Sequence, residues 1–174
     1  MTQYQNLAAT IRTIPDFPKK GIQFIDITTL IRQAGPFAEV IDILYERYRG
    51  EKITRVVGIE ARGFLFASAL AYRLGAGLVP VRKPGKLPGK TVSVSYALEY
   101  GTDSIQMHAD ALDKGDRVVL VDDLLATGGT AAAAGRLLRE QGAELAGMAF
   151  VVELDFLNGR EKLAGTDIFS ILHF

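Results

Sequence analysis

Residues 118–130 read VVLVDDLLATGGT: an unbroken apolar run, two adjacent acids, and a turn rich in threonine and glycine. An apolar run with no polar alternation is the pattern of a strand buried on both faces, as in a parallel sheet. The alanine-rich segment TAAAAGRLLREQG that follows has helical character and stops at Gly142. Strand, turn and helix in that order place residues 122–130 at the carboxyl end of a strand, where open α/β sheets bind their ligands. Gly128 and Gly129 let the backbone approach an anion, Thr127 and Thr130 add hydroxyl donors, and the helix N-terminus adds partial positive charge. Such a cradle fits one phosphate. Carboxylates repel phosphate, so Asp122 and Asp123 must meet another part of the same ligand, such as sugar hydroxyls or a metal ion. A phosphate beside a diol describes ribose 5-phosphate. The plain alternative is that the two acids end a strand and cap a turn.

Outward from this stretch the chain repeats the alternation. RVVGI (55–59) is a short buried strand, followed by a helix through FLFASALAYRL that ends at Gly75. LVPVR (78–82) is the next strand, and GMAFVVEL and DIFSILHF are two late ones around a short helical stretch near Glu161. Near the start, Leu7, Ile11 and Ile14 have the spacing of an amphipathic helix, GIQFIDIT suggests a short strand, and a helix runs from Pro36 to Gly50. TVSVSYALEY and SIQMHA alternate in polarity and predict a hairpin that projects as a flap. The expectation is one α/β domain over residues 1–174, a central parallel sheet flanked by helices.

PGKLPGKT (84–91) invites comparison with a P-loop, yet Gly85 and Gly89 are one residue too close, and a strand follows rather than a helix. Its lysines belong to a local excess of Arg82, Lys83, Lys86 and Lys90 with no acid among them, on a chain whose 20 basic and 20 acidic residues balance. Local excess on a neutral protein points to one anionic ligand rather than to nucleic acid or a membrane surface. With 174 residues, 48% of them hydrophobic, the chain can bury roughly 70% of its unfolded surface. It has no cysteine, hence no disulfide and no thiol chemistry. The N-terminus lacks the basic start and apolar run of a secretory signal, and no apolar stretch is long enough to span a bilayer, so a cytoplasmic location is expected. His108 and His173 lack partners at metal-ligand spacing and are read as exposed or satisfied.

The string at 118–130 resembles the signature of the phosphoribosyltransferases. DFPKKGIQFIDIT (16–28), EARGFLF (60–66), VRKPGKLPG (81–89) and SYALEYG (95–101) resemble the branch that acts on adenine, in the same order and spacing across nearly the whole chain. The resemblance implies a type I phosphoribosyltransferase fold with a hairpin flap and a small N-terminal hood. It implies synthesis of AMP and diphosphate from adenine and phosphoribosyl pyrophosphate, with Mg²⁺ held mainly by the diphosphate and no assigned protein ligand, in a homodimer. It implies that Asp122, Asp123, Ala126, Thr127, Gly128, Gly129 and Thr130 hold the phosphoribosyl group. Arg62, Lys83 and Lys86 would hold the diphosphate, the lysines on a mobile segment that closes as a lid, with Lys90 at the flap base. Glu99 would handle the proton of the base. Phe24 would stack on adenine while the backbone of Gln23 and Ile25 reads its edge; position 25 is often arginine in relatives, and isoleucine leaves main-chain recognition intact. Two other functions are compatible with the same fold: transfer to another base (hypoxanthine, guanine, xanthine or orotate), and a non-catalytic sensor of phosphoribosyl pyrophosphate.

Overall fold

A computed structural model describes residues 4–97 and 101–174. Its centre is a parallel sheet of five strands, β3 (Arg55–Ile59), β4 (Gly77–Val81), β7 (Arg117–Leu125), β8 (Glu144–Glu153) and β9 (Ile168–His173), in the spatial order β4-β3-β7-β8-β9. Along these strands successive residues serve opposite faces. Val119 and Val121 of β7 join one core with Val56, Ala149 and Val151, whereas Val118 and Leu120 join a second core with Val57, Met148 and Phe150. The first core is closed by α3 (Ala34–Tyr48) and α4 (Gly63–Leu74), through Val40, Leu44, Phe66 and Leu70. The second is closed by α5 (Gly129–Glu140), through Ala134, Leu137 and Leu138. This double coverage is why the strands read as continuous apolar runs.

The chain leaves β3 toward β4 on one side through α4, and leaves β7 toward β8 on the other through α5. The order therefore reverses between β3 and β7, and a crevice opens there between the loops after the two strands. β7 has nine residues and runs on past the apolar stretch through both acids. It pairs with β3 only up to Val121 but continues beside β8 to Leu125, with Asp122 opposite Phe150 and Leu125 opposite Glu153. The two acids thus lie within a strand, on a ledge beyond the end of β3.

Two regions differ from the sequence expectation. The N-terminal helix is only α1 (Gln5–Ala8); Arg12–Pro15 form β1, which pairs antiparallel with β2 (Gln23–Asp26), Ile14 facing Phe24. Leu7 and Ile11 do have helical spacing, but Pro15 disfavours helix at Ile14, and the β-branched Thr13 and Ile14 suit a strand. Arg12 is then tied to Asp26, whose carboxyl is held down at about 2 by hydrogen bonds from Thr28 and from Arg12. The hairpin of β5 (Thr91–Ala97) and β6 (Thr102–His108) is present, but its described part packs on the second core and α5 instead of standing free. Val94, Ile105 and Met107 are buried in the second core, and Arg136 of α5 donates to the Ser95 carbonyl at 2.8 Å. The alternation that marked this strand pair as half-buried was the signal of that packing. Between β2 and α3 lies the single turn α2 (Thr28–Ile31), and short 3₁₀ turns at Asp155–Leu157 and Gly159–Leu163 precede β9. Among the described residues no helix is long and apolar enough to cross a membrane.

Candidate active site

The crevice between β3 and β7 is a cleft of about 250 Å³. Its floor is the ledge of Asp122 and Asp123, one wall is Glu60–Arg62, and the other is Ala126–Thr130, with Lys83 at the rim. Two helices begin at these walls, α4 at Gly63 and α5 at Gly129, and neither is capped by a side chain. At α5 the first N–H groups are therefore open to an anion from the cleft, whereas at α4 Phe64 and Leu65 already donate to the Ala61 and Arg62 carbonyls and the opening is at Gly63; each end is reinforced by its helix dipole.

Close backbone approach builds the phosphate-sized turn. Gly128 adopts a φ of 76°, and a methyl group there would sit 2.3 Å from the Gly159 carbonyl oxygen. Gly159 leaves equally little room: its methyl would meet the Ala126 carbonyl at 2.2 Å. The turn at 126–128 is thus seated on the 3₁₀ turn that starts at Gly159. On the opposite wall, a methyl on Gly63 would lie 2.7 Å from Asp122 Oδ1. The start of α4 is packed against the acid, and only glycine leaves the space.

The acids are electrostatically strained. Asp122 looks into the cleft, yet protein surrounds it so closely that burial, and then the neighbouring charge of Asp123, raises its pKa well above the carboxylate range. Burial also raises Asp123, against the opposing pull of the Arg62 guanidinium. Arg62 Nε lies 2.9 Å from Asp123 Oδ2, but without an aligned hydrogen bond, so this buried oxygen keeps an open acceptor site. The Arg62 guanidinium also lies 5.6 Å from the centre of the Phe24 ring, whose other neighbour is Phe17, edge-on at 5.1 Å. Phe24 is partly exposed rather than a core phenylalanine, while Ile25 points into the first core.

The structure thus gathers Arg62, Lys83, Asp122, Asp123 and Ala126–Thr130 around one cleft, with Phe24 next to Arg62. Gln23 and Ile25 flank Phe24 on β2, outside that cleft. Lys86 and Lys90 are exposed and do not line it. The turn carrying Lys86 is clasped at its base, where Arg82 donates to the Lys86 carbonyl at 3.0 Å and to Glu60 at 2.6 Å. Glu99 lies outside the described residues. His173 is brought to Asp155 at 2.8 Å and to Glu153 at 3.9 Å, but Glu153 already accepts from Arg160 and Ser170, so the cluster is satisfied internally.

Three polar residues at the site escaped the sequence reading: Glu60, Tyr96 and Asp103. Lys83 is paired with Asp103 and donates to the Tyr96 hydroxyl at 3.2 Å, and that hydroxyl is 3.0 Å from Thr130 Oγ1. Tyr96 falls on the apolar parity of its strand, which disguised it. Asp103 stands in the Gly-Thr-Asp segment that joins the two alternating stretches.

The phosphoribosyl transferase domain family model matches residues 28–168. An adenine phosphoribosyltransferase of Acidobacterium capsulatum is 60% identical over 97% of this chain and 93% of its own. The crystal structure of the adenine phosphoribosyltransferase of Thermoanaerobacter pseudethanolicus superposes with a TM-score of 0.94 at 52% identity, over 98% of this chain and 99% of that one. The Saccharomyces cerevisiae enzyme, solved with an imino-altritol bisphosphate and adenine, is similar at 44% identity and a TM-score of 0.91, over 97% of both chains.

Proposed function

The chain belongs to the adenine phosphoribosyltransferases of the phosphoribosyl transferase domain family, and from that premise we infer that it transfers the 5-phosphoribosyl group of phosphoribosyl pyrophosphate to adenine, giving AMP and diphosphate. One observation carries the assignment of its parts: two uncapped helix N-termini flank a ledge of paired acids in one cleft. The α5 end, with Thr127 and Thr130, holds the 5′-phosphate. The α4 end, with Arg62 and Lys83, holds the diphosphate, the arginine fork suiting bidentate contact with it. Lys86 reaches the diphosphate only if its turn moves inward.

Between the two anions the ribose lies over Asp122 and Asp123, which accept from its hydroxyls. As the bond to diphosphate breaks, the sugar gains positive charge. The buried acids, costly to ionise in the free protein, are then stabilised as carboxylates facing that cation. Adenine stacks on Phe24; backbone groups of residues i and i+2 face the same edge of a strand, so Gln23 and Ile25 can read its rim together. A carboxylate at Glu99 takes the proton that adenine loses. The oxygen-rich floor also fits Mg²⁺, a hard cation held by substrate phosphates with at most one or two carboxylates. Asp122 and Asp123 are the residues that would hold it, and the ion would supply neutralising charge to the diphosphate.

We further assign a homodimer, supported by exposed Leu65 and Tyr72 seven residues apart on one face of α4; sedimentation velocity distinguishes one chain from two. Consumption of a nucleotide precursor suits the cytoplasm, which cell fractionation checks.

The test of function is diphosphate release from phosphoribosyl pyrophosphate with adenine, hypoxanthine or guanine, each with and without Mg²⁺. Turnover is expected with adenine and Mg²⁺; turnover of hypoxanthine but not adenine overturns the base assignment. Asp122→Asn and Asp123→Asn should each lower turnover by roughly 100-fold, as for loss of one transition-state electrostatic contact. Parallel losses of activity and melting temperature would instead make the acids structural.

A further inference from the structure

The Tyr96 hydroxyl sits at a junction of three groups, and its proton count limits what each can do. It is within hydrogen-bond distance of Lys83 Nζ at 3.2 Å, Asp103 Oδ2 at 3.0 Å and Thr130 Oγ1 at 3.0 Å. A tyrosine hydroxyl has one proton to give and can accept; an ammonium only donates and a carboxylate only accepts. Asp103 is ionised, its pKa lowered by the Lys83 hydrogen bond, against the opposing effect of burial. Tyr96 must therefore donate to Asp103 and accept from Lys83, and the third contact is left to the Thr130 proton. In the free protein Thr130, at the start of the α5 cradle, thus has its hydroxyl proton turned away from the cleft, and Lys83 is held on the hairpin by Asp103.

A phosphate needs the opposite arrangement. Its oxygens accept, so Thr130 must give them its proton and accept one from Tyr96. The Tyr96 proton then leaves Asp103, whose charge is left to the Ser104 N–H and the Lys83 ammonium, and the carboxylate holds that ammonium more strongly. Packing keeps this junction together: Arg136 pins the Ser95 carbonyl to α5 at 2.8 Å, and a methyl on Gly129 would touch the Tyr96 ring at 3.7 Å.

We propose that Tyr96 and Asp103 are positioning residues that set the two ends of the phosphoribosyl donor against each other, 5′-phosphate at Thr130 turning the Tyr96 hydroxyl away from Asp103 and tightening Asp103 on Lys83 at the expense of the diphosphate. The inference rests on the assignment of the two anion sites made above. It makes the hairpin a transmitter between them rather than only a cover.

The experiment measures binding of magnesium diphosphate to the full chain by calorimetry, with and without saturating ribose 5-phosphate, in the wild type, Tyr96→Phe and Asp103→Asn. Repulsion between the two anions is common to all three proteins, so the ratio of the two dissociation constants isolates the network. Ribose 5-phosphate should disfavour diphosphate about five-fold more in the wild type than in Tyr96→Phe, the low end of ordinary coupling between sites. Asp103→Asn should bind diphosphate alone more tightly than the wild type, with less lost to ribose 5-phosphate. The same ratio in all three proteins, with AMP still formed by the wild type, overturns the coupling and leaves the activity standing. A wild type that forms no AMP from adenine takes down the activity and this inference together. If Tyr96→Phe does not fold, Asp103→Asn, nearly isosteric and partly exposed, decides alone.

Discussion

Tyr48 carries a fully buried hydroxyl with no hydrogen-bond partner among the described residues, on a ring that is otherwise part of the first core. Burial raises its pKa, so the group stays neutral, but a neutral orphan still forfeits the hydrogen bonds it had with water. Tyr48→Phe removes the orphan and keeps the ring. The variant should gain about 1 kcal/mol, which for a chain of this size raises the melting temperature by roughly 2–4 °C. A lower melting temperature would mean that the hydroxyl has a partner after all. The same accounting of donors and acceptors separates Tyr48 from Tyr96, whose hydroxyl has three neighbours within hydrogen-bond distance. Nothing in the one-letter string distinguishes these two tyrosines; both occupy apolar positions in a periodic pattern.

The turn at 126–128 and the 3₁₀ turn at Gly159–Leu163 show how an element outside the cleft shapes it. Gly159→Ala would push against the Ala126 carbonyl, a backbone atom that cannot swing aside. Overpacking of this kind costs about 1–3 kcal/mol, and here the strain falls on the phosphate cradle. Affinity for ribose 5-phosphate should fall by about ten-fold, measured by calorimetry, although Gly159 does not line the cleft. Unchanged affinity with a lowered melting temperature would show that the strain is absorbed elsewhere. This dependence was hidden in the sequence because Gly159 is far along the chain from the motif it supports. The cradle itself was legible, since strand, acids, glycines and helix are contiguous at 118–140. The five parallel strands were legible for a related reason, burial on both faces leaving uninterrupted apolar runs. The N-terminal helix is shorter than its pattern implies, because Leu7 and Ile11 satisfy a helical period that the extended chain before Pro15 cuts short. Glu60 and Asp103 owe their places to contacts across strands, and local pattern carries no trace of those.

The sheet serves both cores at once, with adjacent residues of β7 packed into opposite ones. Loss of either core would expose the other face of the same strands. We therefore expect residues 1–174 to behave as a single domain and to unfold in one transition. The calorimetric and van't Hoff enthalpies should agree, and near- and far-ultraviolet circular dichroism should change together. Two separated transitions would mean that the hairpin or the N-terminal pair of strands is an independent unit. The reversal of strand order at β3 and β7 belongs to this level as well. It brings α4 and α5 to the cleft from opposite faces of the sheet, so the anion sites at their two N-termini are held apart by the sheet itself.

The glycine at position 63 has a consequence for inheritance. Asp122 Oδ1 stands 2.7 Å from where the first side-chain atom of any other residue would lie. Every codon for glycine begins with two guanines, and any change to either one specifies a residue with that atom or a stop. Position 63 therefore has no neighbouring allele that changes the residue and leaves the acid undisturbed. In a population of cells dependent on adenine for AMP, its mutational spectrum would be as restricted as that of the aspartates, though it offers the substrate no side chain at all.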